Sequence, residues 1–287
     1  MEDIQKIVIP LHAPHISKND IIKVSKTLKS GWVSSSGKLI NEFENNLSKY
    51  TGSKYCLAVS SGTAALHLSL LAIKLKENDE VIVPSVTFIA PVNAINYVGA
   101  KTIFMDVDNH LNIDSIKVIN FLNKHTYKKN GYTYNKKSRK RIRAIIIVHV
   151  FGNPANIEDI LKVCRKKNIE CIEDSAEGLG SFYSNGKLKN KHVGTIGKIG
   201  CLSFNGNKII TTGAGGAILT NSKTIYKKIK FLSTQAKNDD IRYIHNEIGY
   251  NYRMPNLLAA LGITQLKSLE ENLLKKRKIN LIYKNEF

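Results

Sequence analysis

Seven short apolar runs alternate with segments of helical spacing, and this alternation leaves few folds open to the chain. Residues 55–59, 80–83, 102–106, 143–150, 170–173, 199–204 and 216–219 have strand length and few polar interruptions. Between and around them, 17–30, 38–50, 63–75, 91–98, 114–123, 156–167, 224–232 and 256–271 carry apolar residues at helical intervals. Strands this apolar are buried on both faces, and helix-length connections favour parallel neighbours. The expectation is an α/β fold around a mostly parallel seven-stranded sheet. In such sheets ligands lie beyond the carboxyl ends of the strands. Asp174 and the turn 60–63 fall at such ends.

Composition narrows the class. With 287 residues and 43% hydrophobic content the chain supports a sizeable core. No apolar run reaches membrane-spanning length, and the start, MEDIQKIVIPLHAP, lacks the order of a signal peptide. A soluble, cytoplasmic protein is expected. Cys56, Cys164, Cys171 and Cys201 form no CxxC pair and read as buried free thiols. The net charge of +20 is spread along the chain, with one concentration at 124–143 (KHTYKKNGYTYNKKSRKRIR), where nine Lys/Arg stand without an acid. That stretch reads as an anion or nucleic-acid surface, or as a solvated hairpin or loop insertion. Without a nucleic-acid module around it, the second reading is expected.

Three motifs carry chemistry. In SFNGNKIITTGAGG (203–216), Lys208 sits between two apolar runs amid small residues. A lysine amine held out of water is a good nucleophile and base, and it forms an imine with an aldehyde. In EDSAEGLG (173–180), Asp174 ends a strand. It reads as a surface acid, a metal ligand or the partner of a protonated ring nitrogen. No HxH or HExxH accompanies it, so no metal is expected. Glu177 follows three residues later. SSGTAAL (60–66) is either a phosphate-binding turn, where Gly62 lets backbone approach an anion at a helix start, or an ordinary capped helix. Lys208 and Asp174 together point to pyridoxal 5′-phosphate, whose pyridine ring needs such a carboxylate. His149, in VHVFG, reads as a packed histidine before a catalytic one. Phe88 is a core aromatic or a stacking face. Trp32, in GWVSSSG, is a candidate for lining a site.

The ordered set GWVSSSGK, SSGTAALHLSL, VIVPSVTFIA, HVFGNP, EDSAEGLGS, SFNGNKIITTGAGGAI and GYNYRMPNLLAALG resembles the DegT/DnrJ/EryC1/StrS sugar aminotransferases from about residue 9 onward. The SFNGNK and EGLGS forms, with the insertion before VHVFG, look most like the LegC-type branch. The resemblance implies an aspartate-aminotransferase-like, fold type I large domain over 1–255. It further implies that 256–287 begins the connection to a small C-terminal domain largely missing from this chain. Lys208 would carry the cofactor. Asp174 would meet the ring nitrogen, Gly62, Thr63 and Ser203 the phosphate, Phe88 the ring face, and Glu177 and Asn205 the cofactor's surroundings. Asn251 would reach the cofactor of a neighbouring subunit in a homodimer. Trp32, His149 and Arg253 would face the substrate. The implied reaction moves an amino group from glutamate to the C4 ketone of a nucleotide-activated 4-keto-6-deoxy-N-acetylhexosamine. The excess positive charge suits anionic partners such as nucleotide sugars, and neither nucleic acid nor membrane is an expected partner. A cofactor-binding homologue without turnover is the alternative.

Overall fold

A computed structural model describes residues 12–239 and 241–286. Helices α1 (Lys18–Lys29) and α2 (Lys38–Thr51) precede β1 (Tyr55–Val59) and α3 (Gly62–Ala72). Then come β2 (Glu80–Pro84), α4 (Ile89–Tyr97), β3 (Lys101–Met105), α5 (Ser115–Lys124), β4 (Thr126–Lys129), β5 (Tyr132–Asn135) and β6 (Ile142–Val148). The chain continues through α6 (Glu158–Lys167), β7 (Glu170–Asp174), β8 (Ile199–Ser203), β9 (Gly216–Thr220) and α7 (Lys223–Ser233). It closes with β10 (Lys237–Asp239), β11 (Ile244–His245), α8 (Asn256–Lys267) and α9 (Leu269–Glu286).

The seven expected strands make one sheet in the order β1-β9-β8-β7-β6-β2-β3, and only β9 runs against the rest. The parallel strands therefore end together, and the loop from β8 to β9 turns at that same end. Both faces are covered, which is why the strands read as unbroken apolar runs. Alternate residues of β6 serve opposite faces: Ala144, Ile146 and Val148 pack with α3, α4 and α7, while Ile145 and Ile147 pack with α5 and α6. Beside the latter, Phe43 and Leu47 of α2 meet Ile263 of α8 and the aromatic Phe204. All four cysteines are buried and free.

Two segments differ from the sequence reading. The region 256–271 is not one helix: it breaks at Ser268, so that α8 packs into the body and α9 leaves it. Gly262 permits the close packing, since a Cβ there would lie 2.8 Å from the Phe43 ring. The basic insertion is a hairpin of β4 and β5, and it is not wholly solvated. Thr133 is buried and donates to the Lys167 carbonyl at 2.6 Å, while the Asn135 amide donates to Glu80 at 3.0 Å. The apolar pattern missed these anchors because they are polar groups satisfied by hydrogen bonds. Among the described residues no helix is long and apolar enough to cross a membrane.

Candidate active site

β8 and β9 are antiparallel neighbours, so the segment between them must turn back at the carboxyl end of the sheet. The turn is pinned at its base: the N–H groups of Phe204 and Thr212 donate to Gly215 and Phe204 carbonyls, both at 2.9 Å. Phe204 and Ile210 are buried beneath it. Its exposed crest presents Lys208, whose N–H donates to the Asn205 carbonyl at 3.0 Å and whose side chain is 15% exposed.

Lys208 opens onto a cavity of about 550 Å³. Its walls include nine of the expected site residues: Gly62, Thr63, Phe88, His149, Asp174, Glu177, Ser203, Asn205 and Lys208 itself. Lys208 Nζ lies 3.3 Å from Glu177 Oε1. Glu177 Oε2 accepts from the N–H of Phe151 at 2.9 Å, and Phe151 has the left-handed φ of 53°. Glu177 thus ties the lysine to the loop after β6. Phe88 is 78% exposed at the mouth, a free aromatic face rather than a core ring.

Asp174 closes β7 on the cavity floor. It is buried, and among the described residues its carboxylate accepts one hydrogen bond, from the Ala176 N–H at 3.0 Å. Burial pushes its carboxyl up to about 6, against the lowering by that N–H and by the Lys208 charge. Its neighbour Glu173 is built differently. Glu173 Oε1 accepts from the N–H groups of Ile196 and Gly197 at 2.8 and 2.6 Å. Oε2 accepts from Gly194 at 2.8 Å and from His149 Nε2 at 2.9 Å. Burial alone would raise Glu173; the hydrogen bond from His149, with the N–H groups of Gly197 and Gly194, leaves it lowered. His149 receives the Ala155 N–H on Nδ1 at 3.1 Å, so Nε2 carries the proton it gives to Glu173. Both ring nitrogens are engaged, and His149 lines the cavity as a fixed wall.

At the other end stands the start of α3. Ser61 caps it, accepting the Ala64 N–H at 3.0 Å. The N–H groups of Gly62 and Thr63 have no acceptor among the described residues. The turn lies hard against its neighbours: a Cβ on Gly216 would sit 2.6 Å from the Ser61 carbonyl, and one on Gly62 would sit 3.0 Å from Ser203 Cβ. Free donors at a helix N-terminus suit a phosphate. One cavity therefore offers an amine, an uncompensated buried acid and a phosphate cradle, and pyridoxal 5′-phosphate fits all three. No group of three or more metal-ligating side chains occurs among the described residues.

Residues 14–287 match the DegT/DnrJ/EryC1/StrS aminotransferase family. The chain belongs to that family. Its aminotransferases depend on pyridoxal phosphate. The GDP-perosamine synthase of Escherichia coli O157:H7 is 41% identical over 276 residues, which cover 96% of this chain and 70% of that protein. The UDP-4-amino-4,6-dideoxy-N-acetyl-beta-L-altrosamine transaminase of Campylobacter jejuni serotype O:23/36 is 36% identical, over 95% of this chain and 68% of its own length. Among solved structures, Helicobacter pylori PseC, an aminotransferase involved in pseudoaminic acid biosynthesis, superposes with a TM-score of 0.78. That match is 28% identical and covers 91% of this chain and 66% of PseC. The chain thus spans about two-thirds of the length of these relatives.

Three expected site residues lie outside the cavity. Trp32 is 63% exposed, and its carbonyl accepts the Asn256 amide at 2.7 Å. Asn251 is exposed and bridges to Thr234. Arg253 is occupied: its Nη1 meets Glu44 Oε1 at 2.8 Å and donates to the Ala58 carbonyl at 2.9 Å. Glu44 also accepts the Ala58 N–H at 2.8 Å, so the pair clamps the end of β1 just before the phosphate turn. Sequence reasoning missed Glu44 and the anchoring role of Glu173. A signal for Glu44 existed: the buried positions 40, 43, 44, 47 and 51 of α2 form one helical stripe, and an acid on it demands a partner.

Proposed function

We propose that this chain is a pyridoxal-phosphate-dependent sugar aminotransferase. In this reading it moves an amino group from glutamate to the C4 ketone of a nucleotide-activated 4-keto-6-deoxy-N-acetylhexosamine, in the cytoplasm. The observation that carries the reading is the convergence of Lys208, Asp174 and the free N–H groups of α3 on one cavity. Family membership supports it, as do the nucleotide-sugar names of the two relatives. One of those names carries GDP and the other UDP, so the carrier is a variable of the assay.

When bound, pyridoxal phosphate supplies an electron sink through which an amine passes from one carbon to another. The rest falls to the protein. Gly62 and Thr63 would hold the phosphate by their N–H groups, with Ser203 beside them. Asp174 would meet the ring nitrogen and keep a proton there, because a buried carboxylate with one hydrogen bond gains from a cationic neighbour. Phe88 would offer a face to the ring. Lys208 would hold the cofactor through Nζ and, when free of it, would serve as the base and acid that moves the proton. Glu177 would hold that amine in place while it is free. Asn251 and the rings of Phe88, Phe151 and Trp32 are exposed, and in this reading a second copy would cover them and complete the site in a homodimer.

Turnover of the full chain with glutamate and a 4-keto sugar nucleotide, read by mass spectrometry, tests the reading. An amino sugar formed with one equivalent of 2-oxoglutarate is the expected result. Tight cofactor binding with no amino sugar from any carrier would overturn it in favour of a non-catalytic homologue.

A further inference from the structure

The basic hairpin of β4 and β5 lies away from the cofactor cavity. Asn135 at its base is bonded to Glu80, the first residue of β2, and the Glu80 N–H donates to the Arg141 carbonyl at 2.7 Å. The hairpin therefore sits at the amino end of the parallel strands, opposite the end that holds Lys208 and Asp174. Its shape is fixed. The strands pair from Thr126 with Asn135 to Lys129 with Tyr132, and Asn130 and Gly131 take the left-handed φ values of 51° and 79° that a two-residue hairpin turn requires. The end of α6 fastens it further: Lys167 Nζ donates to Thr126 Oγ1 at 3.1 Å, and the Asn168 amide donates to the Gly131 carbonyl at 3.2 Å. Strand alternation puts Tyr127, Lys129, Tyr132 and Tyr134 on the face away from the buried Thr126 and Thr133. Of the nine Lys/Arg in 124–143, two have acids: Arg141 pairs with Asp79, and Arg143 with Glu170 at 3.5 Å. The other seven have no ion-pair partner among the described residues. The last turn of α6 adds Arg165, Lys166 and Lys167 beside them. Burial, then the charges of Lys128 and Lys136, holds Lys167 below the ordinary lysine value, so these like charges bear on one another. Gathered like charges oppose folding, and an external polyanion relieves them.

We propose that this hairpin, with the adjoining end of α6, docks the protein on an anionic lipid surface. From the sequence no membrane partner is expected; the placement of the charges changes that. None of the seven unpaired cations lines the cofactor cavity. They are strung along a two-stranded ribbon, so the matching anion is extended. Six of the seven are lysines, which act as point charges, whereas recognition of single phosphates favours the guanidinium fork. The guanidiniums here lie on rings: Arg139 is 5.8 Å over Tyr127, and Arg141 is 5.1 Å over Tyr132. Tyr127 and Tyr134 stack on each other at 5.6 Å. Covered rings disfavour the base stacking on which single-stranded nucleic acid binding relies. A surface of anionic headgroups needs neither free rings nor forks. Its potential attracts a cluster of lysines, and tyrosines suit the lipid–water interface. Attachment of this kind is peripheral, and it leaves the cavity at the far end of the strands open. It holds whatever reaction that cavity performs.

The test is flotation of the full chain, loaded with pyridoxal phosphate, on vesicles of phosphatidylcholine alone and of phosphatidylcholine mixed with phosphatidylglycerol. Binding is expected to the mixed vesicles only, and it should fade as salt is raised. The combined variant Lys128→Gln, Lys129→Gln and Lys137→Gln is expected to bind at least about tenfold more weakly. Lys128→Arg, Lys129→Arg and Lys137→Arg together should bind like the parent, which separates loss of charge from damage to the hairpin. Lys18→Gln, Lys26→Gln and Lys29→Gln together remove the same charge from α1 and should also bind like the parent, which separates the hairpin from net charge. No preference for the mixed vesicles, unchanged binding in the hairpin glutamine variant, or an equal loss in the α1 variant would each overturn the proposal. A single-stranded or duplex oligonucleotide added at the same salt is expected to leave the protein on the vesicles. Release by either one would overturn the proposal in favour of a nucleic-acid partner.

Discussion

Glu173 and Asp174 are consecutive acids at the end of one strand, both buried, and they are built for opposite purposes. Glu173 receives four hydrogen bonds, three from backbone N–H groups and one from His149. Asp174 receives one. Strand geometry sends successive side chains to opposite faces. One face is filled by the loop that bends back through Gly194 and Gly197, and the other opens on the cofactor cavity. A carboxylate with every lone pair engaged holds the loop to the sheet. A carboxylate left short of partners stays at a cost in stability, and that deficit marks the place where a cationic ligand belongs.

The largest effect should separate the two acids by activity. Asp174→Asn is expected to fold and yet to lose roughly 10³-fold in the rate of the glutamate half-reaction, followed by absorbance, because a preorganised charge at the ring nitrogen is removed. A variant within tenfold of the parent would erase the distinction. Next comes stability. Glu173→Ala strands His149 and three N–H groups and should cost roughly 3–5 kcal/mol in chemical denaturation. A cost below about 1 kcal/mol would show that the loop is held by other means.

This contrast shows what the sequence made legible. The alternation of apolar runs and helices is enough for the seven strands and their burial, because a doubly covered sheet imposes that pattern on the chain. The cofactor end was legible because Gly62, Asp174 and Lys208 sit at strand ends amid small residues. The family resemblance adds Ser203 and Asn205, and for Phe88 it favours the stacking face over the core ring. The anchoring role of Glu173 was not legible, since three of its four partners are backbone N–H groups that leave no mark in side-chain identity. Arg253 was expected to face the substrate, and the structure puts it on Glu44 instead, because pairing between α2 and the segment before α8 has no local sequence signature. The break at Ser268 leaves no mark in the sequence, because helical spacing continues through it.

Titration of the cofactor-free chain sharpens the comparison further. Asp174 holds its proton more tightly folded than unfolded, at about 6 against an ordinary 3.8. Its contribution is therefore most favourable below the ordinary value and is lost as pH rises through about 6, a decline of about 3 kcal/mol. Glu173 is shifted the other way. Its contribution is present above its ordinary value of 4.5 and is lost as pH falls through its lowered folded value. Denaturation of Asp174→Asn should thus lack the decline between about pH 4 and about pH 6 and keep the acid-side loss. The smallest effect is at the phosphate cradle. Ser61→Ala removes the α3 cap and should cost about 1 kcal/mol of stability, measured as a lower thermal midpoint, with weaker cofactor binding beside it.

The central claim is that Lys208 is the amine that carries the cofactor. Borohydride reduction of the full chain mixed with pyridoxal phosphate, followed by peptide mass spectrometry, tests it directly. The account predicts one phosphopyridoxyl label per chain, on Lys208, and none after prior exposure to glutamate converts the cofactor. Labelling spread over other lysines, or equal labelling in Lys208→Ala, would contradict it.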